Sequence, residues 1–309
     1  MQRKIAFMGT PNFAVPILKY IYQNGYEISA VYTQPPKKSN RGQKIEKSPI
    51  HLLAETLNLN IRIPNQLKKN HVEYEYIRNL DLDLVIVVAY GQIIPKNFLS
   101  LSKGGFINLH ASILPRWRGA APIQRSIMNQ DKETGISVMK INEKLDEGDI
   151  SHIFKINITE NENAQSLSEK LSTLASHNIS DIIDSILDKK INFKPQDHSK
   201  TTYAKKIIKS EGLIDWNDTA ENIIGKINGL YPYPGGYFLF KGERYKILKA
   251  EKYFSKESPG KVLTNDLEIS CGTNSIKILE IQREGKKSQK INEFLPGSQI
   301  QKGTKLSDV

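Results

Sequence analysis

Along the first two hundred residues, short apolar runs alternate with segments whose apolar positions recur every three or four residues. The run "RKIAFMG" (3–9) predicts a strand ending in Gly9, and "NFAVPILKYIYQNG" (12–25) predicts a helix that stops at Asn24-Gly25. "YEISAVYTQPP" (26–36) reads as a second strand, and "SPIHLLAETLNL" (48–59) opens a helix with Ser-Pro. The run "LDLVIVVAYG" (82–91) is continuously apolar without alternation, the pattern of a strand buried on both faces. Two further strands, "GGFINLH" (104–110) and "TGISVMKI" (134–141), flank a helix at "APIQRSIMNQ" (121–130). Strands alternating with helices predict an α/β domain, Rossmann-like, with a mostly parallel sheet.

Near residue 200 the pattern changes. A long helical segment over 163–190 leads into "INFKPQDHSKTTYAKKI" (191–207), which reads as a linker rich in Pro and Lys. One more helix is expected at 219–229, after which short strands follow one another at close turns: "GGYFLFKG", "ERYKILKAEKYF", "GKVLT", "LEISCG" and "SIKILEIQ". That spacing predicts a small β-barrel or sandwich. The expected division is a domain over 1–203 and a smaller β domain over 204–309.

Composition narrows the class. With 309 residues and 39% hydrophobic content, the chain has material for two cores. No apolar run approaches the length of a membrane span, and the N-terminus carries no signal-peptide cleavage pattern, so a cytoplasmic protein without a membrane partner, acting as a monomer, is expected. The single cysteine, Cys271, excludes an internal disulfide and a cysteine-built metal site, and no ligand cluster predicts a protein-bound metal. Its apolar neighbours predict a small buried residue on a strand. The net charge of +11 points to a polyanion such as nucleic acid, or simply to a soluble surface.

Candidate chemistry concentrates in "FINLHASILPRWRG" (106–119). A strand repeat of two puts Asn108 and His110 on one face at the strand's carboxyl end, where ligands of open parallel sheets sit. The segment "KLDEGDI" (144–150) supplies Asp146, Glu147 and Asp149. An Asn, a His and a carboxylate converging on one spot suit attack by a neutral nucleophile on a carbonyl: amide and imidazolium donors hold the oxyanion while the carboxylate orients the His or relays a proton. From spacing alone, a structural His, a solvated acidic turn and a plain Pro-Gly loop remain equally open readings. The turn "FMGTPNFA" (7–14) has one of the three glycines of the dinucleotide fingerprint, and Thr33-Gln34 stand where its acidic residue belongs, so it reads as a structural turn.

"HASILPRWRGAAPI", with Asn108 two residues before the His, resembles the signature of the folate-dependent formyltransferases. "FMGTPNFA", "AYGQIIP" (89–95), "LDEGDI" (145–150), "INGLYPYPGGYF" (227–238) and "FLPG" (294–297) resemble, in order and spacing, the branch of that family acting on methionyl-tRNA. The resemblance covers the whole chain. It implies transfer of the formyl group of 10-formyltetrahydrofolate to the α-amine of methionine on initiator tRNA, with Asn108, His110 and Asp146 as the catalytic set. It further implies a folate site made from Ser112, Ile113, Leu114 and Pro115 together with the loop Tyr90, Gly91, Gln92 and Ile93. Pro115 and Gly119 would shape the turn, and Arg116 and Arg118 would either support it or meet anionic groups. The C-terminal domain is implied to be a barrel of the oligonucleotide-binding type.

The resemblance also gives the charge a partner. Residues 37–47 carry a net +4, and in this family the corresponding loop enters the tRNA acceptor arm through an Arg that matches Arg41 here. Lys37, Lys38 and Lys44 flank it, and Lys205, Lys206 and Lys246 are the further tRNA candidates. The usual "PDRPAGRG" is altered, with Lys38-Ser39-Asn40 replacing its middle. Two other readings compete: a formyltransferase for an amino-sugar nucleotide, and a tRNA-binding protein without activity.

Overall fold

The computed structural model describes residues 3–39 and 44–306. The chain forms two compact units. The first takes the residues to Gly119, Thr134–Ile156 and Ser168–Tyr203; the second takes Ala120–Glu133, Asn157–Leu167 and the chain from Ala204 on.

Among the described residues, ten strands precede the long helix: β1 (Lys4–Gly9), β2 (Glu27–Tyr32), β3 (Lys37–Ser39), β4 (Lys44–Glu46), β5 (Ile61–Arg62), β6 (Leu84–Val88), β7 (Phe106–His110), β8 (Arg118–Gly119), β9 (Glu133–Lys140) and β10 (Ile150–Asn157). Seven of them form one sheet in the order β10-β9-β7-β6-β1-β2-β5. The pairs β1–β2, β1–β6, β2–β5 and β6–β7 are parallel, as the alternating pattern predicts. Every residue of β6 is buried, so its lack of alternation reports burial on both faces. The helices are α1 (Val15–Gln23), α2 (Pro49–Thr56), α3 (His71–Asn79), α4 (Pro122–Met128) and α5 (Ala164–Leu187). Ser48 starts α2 by accepting from the His51 N–H at 3.0 Å, with Pro49 at the first helical position. In α5, Leu167, Leu171, Ala175, Ile179 and Ile183 recur at helical spacing and are buried.

Several features depart from the sequence pattern; among them, "GKVLT" (260–264), expected as a strand, makes only isolated bridges at Lys261 and Val262. β9 runs antiparallel to β7, pairing Ile107 with Lys140 and His110 with Ser137. The helix between them, α4, is therefore no crossover of this sheet. α3 is silent in the pattern because only Ile77 and the acidic Glu73 are buried on it. Glu73 is held by Arg62 at 2.5 Å and by the Tyr32 hydroxyl at 2.7 Å, and the buried Tyr32 hydroxyl is pushed well above the usual tyrosine range by desolvation and then by Glu73. The segment expected as a linker is also corrected: residues 191–203 belong to the first unit, with Lys194 exchanging backbone hydrogen bonds with Ile150 at 2.9 Å and Gln196 buried.

The second unit resumes at Ala204, the last residue of β11 (Tyr203–Ala204), and runs to α6 (Ala220–Gly229), on which α4 packs. Gly229 makes that approach possible, since a Cβ there would stand 2.5 Å from Met128 Cγ and 2.9 Å from the Gln124 carbonyl. The strands β12 (Gly236–Phe240), β13 (Glu243–Tyr253), β14 (Glu268–Ser270), β15 (Ser275–Arg283) and β16 (Gln289–Lys290) form an antiparallel sheet in the order β12-β13-β15-β14, with β16 on β15. Trp216, Phe238, Tyr245 and the isoleucines of β15 fill its core, Phe238 and Tyr245 stacking at 5.4 Å. Cys271, expected on a strand, lies one residue beyond β14 and is buried there, its thiol pushed up to about 12 by burial, which makes it an inert packing residue. The α/β unit and the small antiparallel unit match the expected fold class.

Candidate active site

β7 delivers Asn108 and His110 to one face of the sheet, between β6 and β9. His110 is 6% exposed. Its Nε2 lies 2.8 Å from the Trp117 carbonyl. A carbonyl only accepts, so Nε2 carries the proton and Nδ1 is the nitrogen left on the side of Asp146. Asp146 Oδ2 stands 3.7 Å from that Nδ1 and accepts the Gly119 N–H at 2.8 Å. Because β9 is antiparallel to β7, the chain leaves β9 beside Ile107, at the amino end of β7, and residues 141–149 must double back to bring Asp146 to His110. Gly148 permits the return: a Cβ there would fall 1.8 Å from the Lys140 carbonyl.

Residues 111–119 form a turn that is pinned from outside by β9, Thr202 and Asp146 as well as by its own hydrogen bonds. Ser137 of β9 donates to the Ser112 carbonyl at 2.7 Å and accepts the Leu114 N–H at 3.0 Å, while the Ser112 hydroxyl donates to the Arg116 carbonyl at 2.7 Å. Ser112 and Leu114 are buried, and Ile113 and Pro115 are half-exposed. Trp117 adopts φ 61° and Asp146 φ 50°, left-handed conformations that a Trp in particular adopts only at some cost.

The 89–95 loop follows β6. Its Tyr90 carbonyl accepts from Thr10 Oγ1 at 2.8 Å and from Gln34 Nε2 at 3.3 Å. Gln34, which stands where a dinucleotide site would place its acid, therefore braces this loop instead. Gly91 has φ 81°, Gln92 donates to the Pro64 carbonyl at 2.8 Å, and Ile93 is 87% exposed. The Tyr90 hydroxyl and Gln92 Oε1 are buried without a hydrogen-bond partner among the described residues.

The two arginines of the turn part company. Arg116 is exposed, its guanidinium 5.2 Å from the Trp117 ring centroid. Arg118 is 1% exposed and bonds Gln196. Gln196 and Thr202, which carries the Trp117 N–H on its hydroxyl at 2.9 Å, come from the segment expected as a linker, and no spacing or charge signal marks them in the sequence.

Of the basic candidates, Lys37 on β3 donates to Gln34 Oε1 at 3.2 Å, and Lys38 and Lys44 lie on the β3–β4 hairpin. Arg41 lies outside the described residues. Lys205 and Lys206 are exposed. Lys246 lies half-buried over the 231–235 loop, Nζ at 3.4 Å from the Pro232 carbonyl, and burial together with Arg244 holds its ammonium below the usual lysine range. Among the described residues no group of three or more His, Cys, Asp or Glu is placed to hold a metal, and no helix is long and apolar enough to cross a membrane.

Residues 3–183 match the family model described as formyl transferase, and residues 206–299 match the formyl transferase C-terminal domain. The chain belongs to the formyl transferase family. It is thus a one-carbon transferase. Relatives named methionyl-tRNA formyltransferase include one from Pelagibacter ubique, 63% identical over the whole of both chains, and one from Caldanaerobacter subterraneus, 41% identical over 98% of this chain and 99% of that one. Among solved family structures, the sugar 3N-formyl transferase WlaRD, in the presence of dTDP and 5-N-formyl-THF, superposes with a TM-score of 0.68 at 21% identity, covering 93% of this chain and 100% of that one. At that identity the superposition carries the fold.

Proposed function

We propose that this chain formylates the α-amine of methionyl-initiator tRNA, taking the formyl group from 10-formyltetrahydrofolate. The observation that carries the reading is the grouping of Asn108, His110 and Asp146 on one face of β7, His110 Nδ1 being left open beside Asp146 Oδ2. The methionine amine attacks the formyl carbon, a C–N bond forms, and the bond to folate N10 breaks as the amine's proton leaves and N10 gains one. In its imidazolium form His110 donates through Nδ1 to the developing oxyanion, alongside the Asn108 amide. Asp146, set beside that nitrogen, orients the ring and takes up the amine's proton directly or through water. No group in this set is a strong nucleophile, which favours direct transfer.

The 89–95 loop and the turn at 112–115 make up the folate site in this reading. The unpartnered Tyr90 hydroxyl and Gln92 Oε1 offer hydrogen-bonding capacity suited to a ring with several donors and acceptors. Arg41 and the lysines of the 37–47 segment bring the acceptor arm to the site. Full-length relatives at 63% and 41% identity named for methionyl-tRNA support that acceptor.

The test is transfer of labelled formyl from 10-formyltetrahydrofolate to methionyl-tRNA, beside uncharged tRNA and an amino-sugar nucleotide. Label on the methionyl-tRNA alone is the expected result. Label on the sugar would leave the chemistry and overturn the acceptor; tRNA binding without any transfer would overturn the chemistry.

A further inference from the structure

Arg118 presents an unusual arrangement: a guanidinium 1% exposed that meets an amide as its closest partner. Its Nε and Nη2 both donate to Gln196 Oε1, at 3.0 and 2.7 Å. Nη1 stands 3.4 Å from Glu147 Oε1, and Nη2 3.3 Å from His198 Nδ1. His198 in turn lies 4.0 Å from Glu147 Oε2, and Lys144 3.6 Å from the same carboxylate. Two charged donors on one amide oxygen fix the flip of the Gln196 side chain, because the oxygen must face Arg118. The amide nitrogen then has one direction to point. It donates to the carbonyls of Asp146 and Gly148, at 2.8 Å each.

Those two carbonyls bracket the doubled-back turn that carries Asp146. We propose that Gln196, braced by Arg118, is the positioning residue that holds the Asp146 turn in reach of His110. The grip is on backbone, so it sets where the carboxylate starts from, while the Gly119 N–H fixes where its Oδ2 ends. Asp146 sits at φ 50° with Oδ2 3.7 Å from His110, a placement in which a shift of about 1 Å decides whether the pair acts together. Support of this kind behind a reacting side chain is what keeps such a placement from relaxing. The arrangement also answers which task falls to Arg118: it faces inward, to the framework.

The inference rests on the reading of Asp146 as catalytic, and the test separates the two. Gln196→Glu keeps an oxygen on Arg118 and removes the N–H donors to both carbonyls. Should the added carboxylate upset folding, the paired replacement Arg118→Met with Gln196→Leu removes the buried charge and its acceptor together. Asp146→Asn is measured beside them. Expected are faster hydrogen exchange in residues 144–149, kcat lower by about ten- to a hundredfold, and KM for the folate unchanged within about twofold. Unchanged exchange in 144–149 overturns the clamp whatever Asp146 does. Faster exchange with undiminished kcat overturns its role in turnover when Asp146→Asn is crippled; when Asp146→Asn also turns over normally, it is the catalytic reading of Asp146 that fails.

Discussion

Positive charge stands in two different settings in this molecule, and Arg118 and the basic β3–β4 hairpin exemplify them. Arg118 is enclosed, bonded to Gln196 and set beside Glu147 and His198, so its charge acts over a few ångströms on neighbours that cannot move away. The hairpin carries Lys37, Lys38 and Lys44, and the 37–47 segment has a net +4 facing few acids of its own. Charge of the first kind organises the framework, because removing it strands partners away from water. Charge of the second kind, in the proposed reading, acts as a field on the tRNA and is screened by salt. The two are linked at one point: Lys37 donates to Gln34, and Gln34 to the Tyr90 carbonyl, so the root of the hairpin is tied to the 89–95 loop.

The largest effect is expected at the atoms that the buried set supports. Replacing His110 with Ala should lower kcat by about 10²- to 10⁴-fold, while affinity for tRNA stays within a few fold. Single-turnover formyl transfer and a separate tRNA-binding titration measure the two quantities. A loss confined to tRNA affinity would place His110 with the field charges and remove it from the chemistry.

Stability should divide the two kinds of charge next. Arg118→Met leaves Gln196 Oε1 and Glu147 without their buried donor, and we expect a loss of about 3 kcal/mol in urea unfolding. Arg41→Ala should leave the unfolding midpoint where it is. Its effect belongs to tRNA binding: about tenfold weaker affinity and a log-affinity against log-salt slope smaller by about one, with folate affinity unchanged. Equal damage to folate affinity would mean that the segment shapes the pocket and that its charge is framework after all.

Legibility in the sequence follows the same division. Periodicity marks what is buried and apolar, so β6, α5 and α6 stand out, and "FINLH" shows Asn108 and His110 on one face from the strand repeat alone. The direction of β9 does not stand out, because a strand reads alike in either sense and α4 looks like a crossover until it is seen packed on α6. The pairing of His110 with Asp146 is open in spacing and reaches the sequence reading through the family motif. Gln196 has no signal: a glutamine between Pro195 and Asp197 looks like linker, and only the approach of Arg118 from 78 residues away gives it a task. Buried polar contacts of long sequence separation are what pattern reading passes over, and they are what the Asp146 turn stands on.

The smallest effect sharpens the comparison because it lies between its two poles. Arg125 on α4 grips Glu211 through two hydrogen bonds, at 2.6 and 3.1 Å, and neither side chain is fully enclosed. The Ile208 N–H adds a third bond to the same carboxylate at 2.9 Å. Arg125, opposed by partial burial and joined by that N–H, holds the Glu211 carboxyl below the usual glutamate range. A carboxyl lowered in the native state stabilises the fold in full above the unfolded value, and the contribution fades as pH falls through the native value. Glu211→Gln should therefore cost about 1 kcal/mol at neutral pH, less than the Arg118 replacement because water still reaches the pair. The gap between wild type and variant should close on the acid side, below the ordinary glutamate range, when wild-type Glu211 is protonated too. Urea unfolding at neutral and at acid pH measures it. A gap that persists in acid would show that Glu211 acts through the shape of its hydrogen bonds, like Gln196 beside Arg118, and that its charge adds little.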